Sequence, residues 1–233
     1  MRVAVISDLH LGAGDVCDSF GHDDAEFLRF LRFLEREFQQ IVLLGDIWET
    51  LTARALGRPR AALAAARRAH REIAARLAGP RYVYVHGNHD VAARAEGALE
   101  RHLLVADGAR LLFTHGHQGD ALVRYARPLS ELGVWLGAGL RRSGLTAVHR
   151  RLAGLDVSSK GLTDPDRCPF QRWAMAVATD RRVDVIVTGH THLATRASHG
   201  ERLFMNSGSC SEGRTSFLAI DTRRAAFEVH DRW

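Results

Sequence analysis

The stretch VAVISDLHLG, residues 3–12, predicts a buried β-strand that ends in charged and imidazole side chains. Small and apolar residues fill positions 3–7, and Asp8 and His10 follow directly. Removing such groups from water is costly unless a partner compensates them. The stretch therefore predicts a bound partner, and the rest of the chain has to provide the other groups that hold it.

The same pattern, an apolar run followed by polar donors, occurs four more times along the chain. The runs cover residues 41–45, 82–87, 109–114 and 183–189. The groups that follow them are Asp46, then Asn88, His89 and Asp90, then His115 and His117, and finally His190 and His192. Ligands of open α/β sheets bind outside the carboxyl ends of the strands, so we expect these five loops to meet at one place.

The donor set predicts a site for two metal ions. The candidate ligands, four nitrogen and three oxygen donors, are Asp8, His10, Asp46, Asn88, His115, His190 and His192. Seven groups suit two ions that share one carboxylate, ~3.5–4 Å apart. Residues two apart on an extended segment point the same way, so each D-x-H or H-x-H pair can reach one cluster. No thiolate takes part, which argues against structural zinc. We expect Mn²⁺, with Fe, Zn or Mg as alternatives, because mixed donors do not choose among them.

Five short motifs carry a resemblance to a known family. D-x-H (8–10), G-D (45–46), G-N-H-D (87–90), H-G-H (115–117) and G-H-T-H (189–192) resemble the ordered blocks of the calcineurin-like metallophosphoesterase superfamily. The resemblance implies a first metal held by Asp8, His10 and His192, a second held by Asn88, His115 and His190, and Asp46 as the bridge. It also implies that His89 is the catalytic histidine near the scissile phosphate and that Asp90 orients it.

Alternating apolar runs and amphipathic segments predict an α/β fold. The resemblance makes this a four-layer α/β/β/α sandwich of two β-sheets flanked by helices. We expect one domain over 1–233, with a helical cap insertion over 121–182, because long irregular insertions usually cover a site. Helices are expected from Asp23 or Asp24 to Phe38 and over 60–78, and an antiparallel set of strands closes the chain after residue 201.

Composition narrows the functional classes. The chain has 233 residues, is 46% hydrophobic and carries a formal charge of +5. Three widely spaced cysteines form no disulfide or zinc pattern, and no leader or spanning stretch is evident, so we expect a cytoplasmic protein. Segment 121–182 holds 11 basic and 5 acidic residues, a net charge of +6. Such a patch suits phosphate-bearing partners, although one lysine against 31 arginines also indicates a general compositional preference for arginine.

The predicted reaction is hydrolysis of a phosphoester or pyrophosphate bond by a metal-bound hydroxide, with His89 as general acid. The motif GDIWE (45–49), in which Glu49 supports the loop, and the place of the insertion resemble bacterial UDP-diacylglucosamine hydrolases of lipid A synthesis. In those enzymes a helical cap holds acyl chains, and Ser158-Ser159-Lys160 is similar to part of it. However, they typically have G-N-R-D and H-G-D where this chain has G-N-H-D and H-G-H.

The substrate stays open at this point. A lipid-linked nucleotide would bring the cap to the inner face of a membrane, with His117, Arg124 and Lys160 as substrate-binding candidates. A nuclease or cyclic-nucleotide phosphodiesterase is the main alternative, and its activity on DNA would fall steeply with salt. Nothing favours a protein phosphatase. A non-enzymatic scaffold is the remote alternative, because all seven ligand positions are filled. The sequence does not predict the oligomeric state.

Overall fold

Two five-stranded sheets form the centre of the protein, whose computed structural model describes residues 1–52, 57–145 and 168–233. The strands are β1 (Arg2–Ile6), β2 (Gln40–Leu44), β3 (Tyr82–Val85), β4 (Arg101–Ala106), β5 (Ala109–Thr114), β6 (Val185–Thr188), β7 (Thr195–His199), β8 (Arg202–Asn206), β9 (Phe217–Asp221) and β10 (Ala226–His230). The helices are α1 (Asp24–Glu37), α2 (Pro59–Ala69), α3 (Arg71–Leu77), α4 (Ala121–Tyr125), α5 (Arg127–Arg142) and α6 (Pro169–Asp180). Two short 3-10 helices cover Val91–Glu96 and His117–Gly119.

The strand order places all five donor-bearing loops at matching sheet ends. The first sheet has the order β10-β9-β1-β2-β3, and the second has the order β4-β5-β6-β8-β7. Strands β1, β2 and β3 are mutually parallel, and so are β5, β6 and β8. The carboxyl ends of β1, β2 and β3 therefore deliver one half of the site, and those of β5 and β6 deliver the other.

Alternation along the central strands creates three hydrophobic cores, one between the two sheets and one between each sheet and its helices. Val3 and Val5 of β1 face the second sheet, whereas Ala4 and Ile6 face the helices of the first sheet. The same alternation in β6 separates Val185 and Val187 from Ile186. Both faces of these strands are buried, which explains why they are continuous apolar runs in the sequence. The predicted four-layer sandwich is confirmed.

Helix α1 follows the predicted boundaries because its ends are marked chemically. The side chain of Asp23 accepts hydrogen bonds from the backbone N–H groups of Ala25 and Glu26, at 3.0 and 3.1 Å. These bonds satisfy donors that a helix start leaves free. Phe27 and Phe30 of this helix are fully buried against the first sheet.

The single helix expected over 60–78 is divided in two. His70 has non-helical dihedral angles between α2 and α3. Its Nδ1 lies 2.7 Å from Oδ1 of Asp24, and its Nε2 lies 3.4 Å from Oδ2 of Asp18. Tertiary hydrogen bonds to two carboxylates favour the break, and helical periodicity alone does not reveal it.

The strands after residue 201 differ from the predicted antiparallel set. β8 belongs to the second sheet and runs parallel to β6, while β9 and β10 pair antiparallel in the first sheet. β4 was not predicted, and it pairs antiparallel with β5 through all six of its residues. The place of β8 depends on its pairing with β6, which local patterns do not determine. β4 and β5 instead form a local hairpin across the two-residue turn Asp107-Gly108.

The two longer helices in the region predicted as a cap differ in how far their apolar side chains are buried. α6 packs on the second sheet with Phe170, Ala174 and Ala178 buried, so residues 169–180 form part of the outer helical layer. α5 instead leaves Leu129, Leu132 and Leu136 exposed. The centre of the predicted cap, including Ser158, Ser159 and Lys160, lies outside the described residues. No helix within the described ranges is long and apolar enough to cross a membrane.

Candidate active site

Five of the seven predicted ligands have an unusual backbone conformation. Asp8, His10, Asp46, His190 and His192 have positive φ angles between 51° and 68°. Side-chain-bearing residues rarely adopt this left-handed region, and such positions cluster at functional sites. The paired ligands are thus placed by tight left-handed turns, and the expectation that they continue extended strands is wrong.

The loops that follow β1 and β2 are joined by backbone hydrogen bonds. The N–H groups of Asp8, His10 and Leu11 donate to the carbonyls of Gly45, Asp46 and Ile47, each at 3.0 Å. The side chains that these loops carry are consequently held at a fixed separation. This ladder explains how the turns keep their strained conformation.

The first group of candidate ligands is Asp8, His10 and His192. One donor atom from each lies within 4.8 Å of the other two. Oδ1 of Asp8 is 3.1 Å from Nε2 of His192, and Nε2 of His10 is 3.4 Å from the same nitrogen. Oδ2 of Asp8 accepts from Ser7 Oγ and from the N–H of His190. These contacts orient the carboxylate and leave its other oxygen toward the histidines.

The second group is Asp46, His115 and His190, again with one donor atom each within 4.8 Å. Oδ2 of Asp46 is 3.2 Å from Nε2 of His115, and Nδ1 of His115 donates to the carbonyl of Leu44 at 2.8 Å. Burial raises the pKa of Asp46, but the rings of His115 and His89 outweigh it and hold that pKa well below its usual value. Asp46 is therefore ionised, as a shared metal ligand has to be.

Unsatisfied polar atoms test whether these residues fit divalent cations. Asn88 Oδ1 is buried and has no hydrogen-bond partner among the described residues. Asp8 Oδ1 and His115 Nε2 are buried too, and each faces an ion-pair partner, at 3.1 and 3.2 Å, without a well-directed hydrogen bond in the described part of the chain. Buried polar atoms are normally satisfied, and a missing ion is one explanation when they are not. The three atoms belong to predicted ligands, and oxygen and imidazole donors suit transition-metal ions. The donor set fits metal binding.

Glu49 takes the orienting position that the sequence analysis gave to Asp90. Oε2 of Glu49 lies 2.8 Å from Nδ1 of His89 and 3.3 Å from Nδ1 of His10. Burial alone would lower the pKa of His89, but the carboxylates of Glu49 and Asp46 outweigh it and raise the pKa to about 10 in the metal-free protein. Glu49 also accepts from the N–H groups of Leu51 and Thr52, so its predicted support of the loop is present too.

Asp90 serves the backbone rather than the ring of His89. Its carboxylate accepts from the N–H groups of Gly87 and Ile47, at 2.6 and 2.7 Å, and from the hydroxyl of Tyr84. It thus ties the loop after β3 to the loop after β2. The family resemblance implied that Asp90 orients His89, but the two side chains contact different partners.

The glycines beside the ligands allow close approach. A Cβ atom at Gly87 would overlap the carboxylate of Asp46. His89, two residues later, donates its backbone N–H to Oδ1 of Asp46 at 2.8 Å. The loop that carries Asn88 is therefore pressed against Asp46 on both sides, which brings Asn88 next to the second group.

Asp120 is a site residue that the sequence analysis missed. Its Oδ2 lies 3.2 Å from Nε2 of His190. A carboxylate next to a ligating histidine commonly orients the ring. The available signal was its place three residues after the end of H-G-H, and that signal is weak.

The structure describes two of the three residues predicted to bind substrate. His117 and Arg124 both line a cavity of about 440 Å³ that begins at Asn88. Lys160 lies outside the described residues. The described part of the chain thus brings two of the three candidates to one cavity beside the predicted metal ligands.

A four-layer α/β/β/α sandwich whose two sheets join carboxylates and imidazoles at their strand ends defines a candidate metallohydrolase. A family model described as calcineurin-like phosphoesterase matches residues 1–194. The chain therefore belongs to the calcineurin-like phosphoesterase family, and the resemblance of the five motifs is confirmed.

The chain is similar to individual known proteins. UDP-2,3-diacylglucosamine hydrolase of Ralstonia nicotianae is 35% identical over 134 residues, which cover 52% of this chain and 44% of that protein. The match thus spans less than half the length of this curated relative. The crystal structure of Vps29 from Chaetomium thermophilum has a TM-score of 0.50 at 16% identity, covers 99% of this chain and 93% of its own, and shows the same fold. A phosphoesterase from E. coli, Yfce, has a TM-score of 0.45 at 18% identity, with 99% of each chain covered.

Proposed function

We propose that the protein hydrolyses a phosphoester or pyrophosphate bond with two divalent cations, Mn²⁺ being our first choice. The observation that supports this most is the placement of two carboxylate–imidazole groups at adjoining strand ends, with five of their residues in the left-handed conformation. Family membership supports the same reaction class. A fold alone would not do so, because one fold serves many functions.

The residues divide into two proposed ligand sets. Asp8, His10 and His192 would hold one cation, and Asn88, His115 and His190 the other, with Asp46 shared. Bound divalent cations neutralise phosphate charge and lower the pKa of water. Ser7, Glu49 and Asp120 hold ligands of these sets in place through the contacts described above.

His89 is proposed to act on the leaving group. Glu49 occupies its Nδ1, which leaves Nε2 for the substrate, and 15% of the side chain is exposed. The raised pKa keeps the ring protonated at neutral pH in the metal-free protein. A protonated imidazole can donate to the oxygen that departs from phosphorus, a contribution worth ~10²–10⁴-fold in rate.

The finer proposal concerns the substrate, a nucleotide-linked lipid similar to UDP-diacylglucosamine. The relative from Ralstonia nicotianae supports it. His89 stands where those hydrolases typically have arginine, and this difference leaves room for other phosphodiesters. We therefore treat the lipid-linked nucleotide as the first substrate to test.

A lipid substrate requires access to a membrane surface, and α5 is the proposed contact. Leu129, Leu132 and Leu136 recur at helical spacing and are 67%, 39% and 54% exposed. The arginines at the end of this helix have another role. Arg141 donates to the carbonyl of Cys17 and Arg142 to Oδ2 of Asp15, each at 3.3 Å, so they anchor α5 to the loop after β1. The leucines, and not these arginines, would meet lipid.

The reaction is tested with the purified protein and p-nitrophenyl esters. We expect elemental analysis to find about two transition-metal ions per chain, and hydrolysis of bis(p-nitrophenyl) phosphate to stop with chelator and return with Mn²⁺. Asp46→Asn should abolish both metal content and activity. A protein that binds no metal, or one that hydrolyses the ester equally well in chelator, would contradict the proposal.

The substrate and the membrane contact need separate experiments. Detergent-solubilised UDP-diacylglucosamine should be cleaved to UMP and the lipid phosphate with a higher kcat/KM than the aryl diester. In sedimentation with phosphatidylglycerol vesicles, Leu132→Glu with Leu136→Glu should reduce binding at least fivefold. Leu103→Glu removes an exposed leucine of β4 and serves as the matched control. Equal sedimentation of both variants would exclude α5 as the contact.

A further inference from the structure

The half-open cavity beside Asn88 is lined by residues of five separate elements. It has a volume of about 440 Å³. Its walls come from the 3-10 helices Val91–Glu96 and His117–Gly119, from α4, from α6 and from the start of β4. The lining residues are Asn88, Val91, Arg101, His117, Gln118, Val123, Arg124, Trp173 and Val177. A volume in this range suits a small organic ligand. Asn88 is a proposed metal ligand, so the cavity adjoins the place where phosphorus would react.

The polar atoms of this wall lack partners within the described chain. Asn88 Oδ1, His117 Nδ1 and Gln118 Oε1 are all buried without a hydrogen-bond partner there. Asn88 Oδ1 is already assigned to a metal ion, so His117 Nδ1 and Gln118 Oε1 are the two atoms that are costly unless a ligand or water completes them. A ligand that fits this wall therefore has to present hydrogen-bonding groups, most directly to Gln118, which is not a proposed metal ligand.

One wall is aromatic and firmly held. Trp173 packs so closely on Gly119 that a Cβ atom at that glycine would overlap the indole. On another side the ring centroid of Phe170 lies 5.6 Å from that of Trp173. An indole fixed in this way offers a flat surface on which a planar ring can stack.

The charge of the cavity distinguishes two occupants. Arg101 and Arg124 both line it, and among its lining residues there is no Asp or Glu. An acyl chain would bury these guanidinium groups and the amide of Gln118 against methylenes, at a cost that hydrocarbon contacts do not offset. A nucleoside carrying a phosphate would instead stack its base, hydrogen-bond to Gln118 and pair its phosphate oxygens with arginine.

We infer that this cavity is the subsite for the nucleoside 5′-phosphoryl part of the substrate, with Trp173, Gln118 and Arg101 as specificity residues. The inference rests on the proposed phosphoester hydrolysis and assigns the non-departing side of the scissile bond to this cavity. An acyl part of the substrate then lies elsewhere, toward the exposed face of α5.

The test compares two esters that share one leaving group. Uridine 5′-(p-nitrophenyl phosphate) and methyl p-nitrophenyl phosphate both release p-nitrophenol, but only the first carries a nucleoside. Val177→Phe fills the cavity from α6, and Ala176→Phe places the same ring on an exposed neighbouring position as the matched control. We expect Val177→Phe to lower kcat/KM for the uridine ester at least tenfold and to change that for the methyl ester less than twofold. Ala176→Phe should change neither by more than twofold.

Calorimetry gives a second readout that does not depend on turnover. UMP should bind the metal-loaded wild-type protein, and Val177→Phe and Arg101→Ala should each weaken this binding at least tenfold. The inference would be overturned if Val177→Phe lowered kcat/KM equally for both esters, or left kcat/KM for the uridine ester unchanged. It would also be overturned if dodecyl phosphate bound the wild-type protein more tightly than UMP and lost this binding in Val177→Phe. If the wild-type protein hydrolyses neither ester, the proposed reaction fails, and UMP binding alone decides the nature of the cavity.

Discussion

The carboxylate of Glu49 lies 2.8 Å from Nδ1 of His89 and 3.3 Å from Nδ1 of His10. One buried acidic group thus connects the proposed proton donor with a proposed metal ligand. The contact with His10 orients the ring of that ligand in the first group. The contact with His89 occupies Nδ1 and leaves Nε2 of His89 for the substrate.

Replacing Glu49 by glutamine should lower turnover and leave the metals in place. We expect kcat to fall about 10–100-fold, as is common when the partner of a ligating or catalytic histidine is changed. Metal content should differ from the wild-type value by less than about a third. Glu72→Gln, at an exposed position of α3, is the control. A wild-type kcat for Glu49→Gln would show that the contact has no catalytic consequence.

The variants His89→Ala and Asp46→Ala should differ in kind. His89→Ala removes a proposed proton donor, so kcat should fall ~10²–10⁴-fold while metal content is retained. Asp46→Ala removes the shared carboxylate, so both metal and activity should be lost. Elemental analysis and turnover on the same samples distinguish the two. Loss of metal from His89→Ala would make His89 a ligand and the present assignment wrong.

Gly87→Ala should damage the site without unfolding the protein. The added Cβ would overlap the carboxylate of Asp46, which then has to move away from His115. We expect metal content to fall at least fivefold while the far-ultraviolet circular dichroism spectrum is unchanged. Gly133→Ala on α5 has open space around the added methyl group and is the control. Full metal content in Gly87→Ala would contradict the close approach.

The contacts of His70 with Asp18 and Asp24 predict a pH-dependent contribution to the free energy of unfolding. Burial lowers the pKa of His70, but its hydrogen bonds to Asp18 and Asp24 outweigh it and raise that pKa above the usual value of 6.5. These contacts therefore stabilise the fold fully below the pKa that His70 has in the unfolded chain. The contribution is lost as pH rises through the higher pKa that His70 has in the folded protein. His70→Gln should cost about 2 kcal/mol at pH 6 and clearly less at pH 9, as measured by urea unfolding. An equal loss of stability at both pH values would refute the charged pair.

The sequence could predict the order and identity of the site loops because each follows a run that is apolar at every position. Such runs belong to strands buried on both faces, and parallel strands end at the same edge. The proximity of Asp8, Asp46 and His115 is therefore predictable from the sequence alone. The family resemblance added the second sheet, which the local patterns of Leu111–Phe113 and Val185–Val187 do not reveal.

Other features depended on tertiary contacts that no spacing encodes. The family resemblance implied that Asp90 orients His89, but the left-handed turn at Asp46 brings Glu49 to that ring instead. β4 is a different case, because Asp107-Gly108 between two apolar runs is a local hairpin signal from which this strand could have been predicted. The division at His70 comes from carboxylates more than forty residues earlier in the chain.

The two sheets contribute different ligands, and this has a consequence for the stability of the whole protein. Asp8, Asp46 and Asn88 follow strands of the first sheet, whereas His115 and His192 follow strands of the second. An ion bound by both would tie the halves of the sandwich together across their seam. Ions that bind only the assembled fold add RT ln(1 + [L]/Kd) to its free energy of unfolding. The melting temperature should accordingly report metal occupancy, and the sheets should separate more readily whenever the cell withdraws the ions.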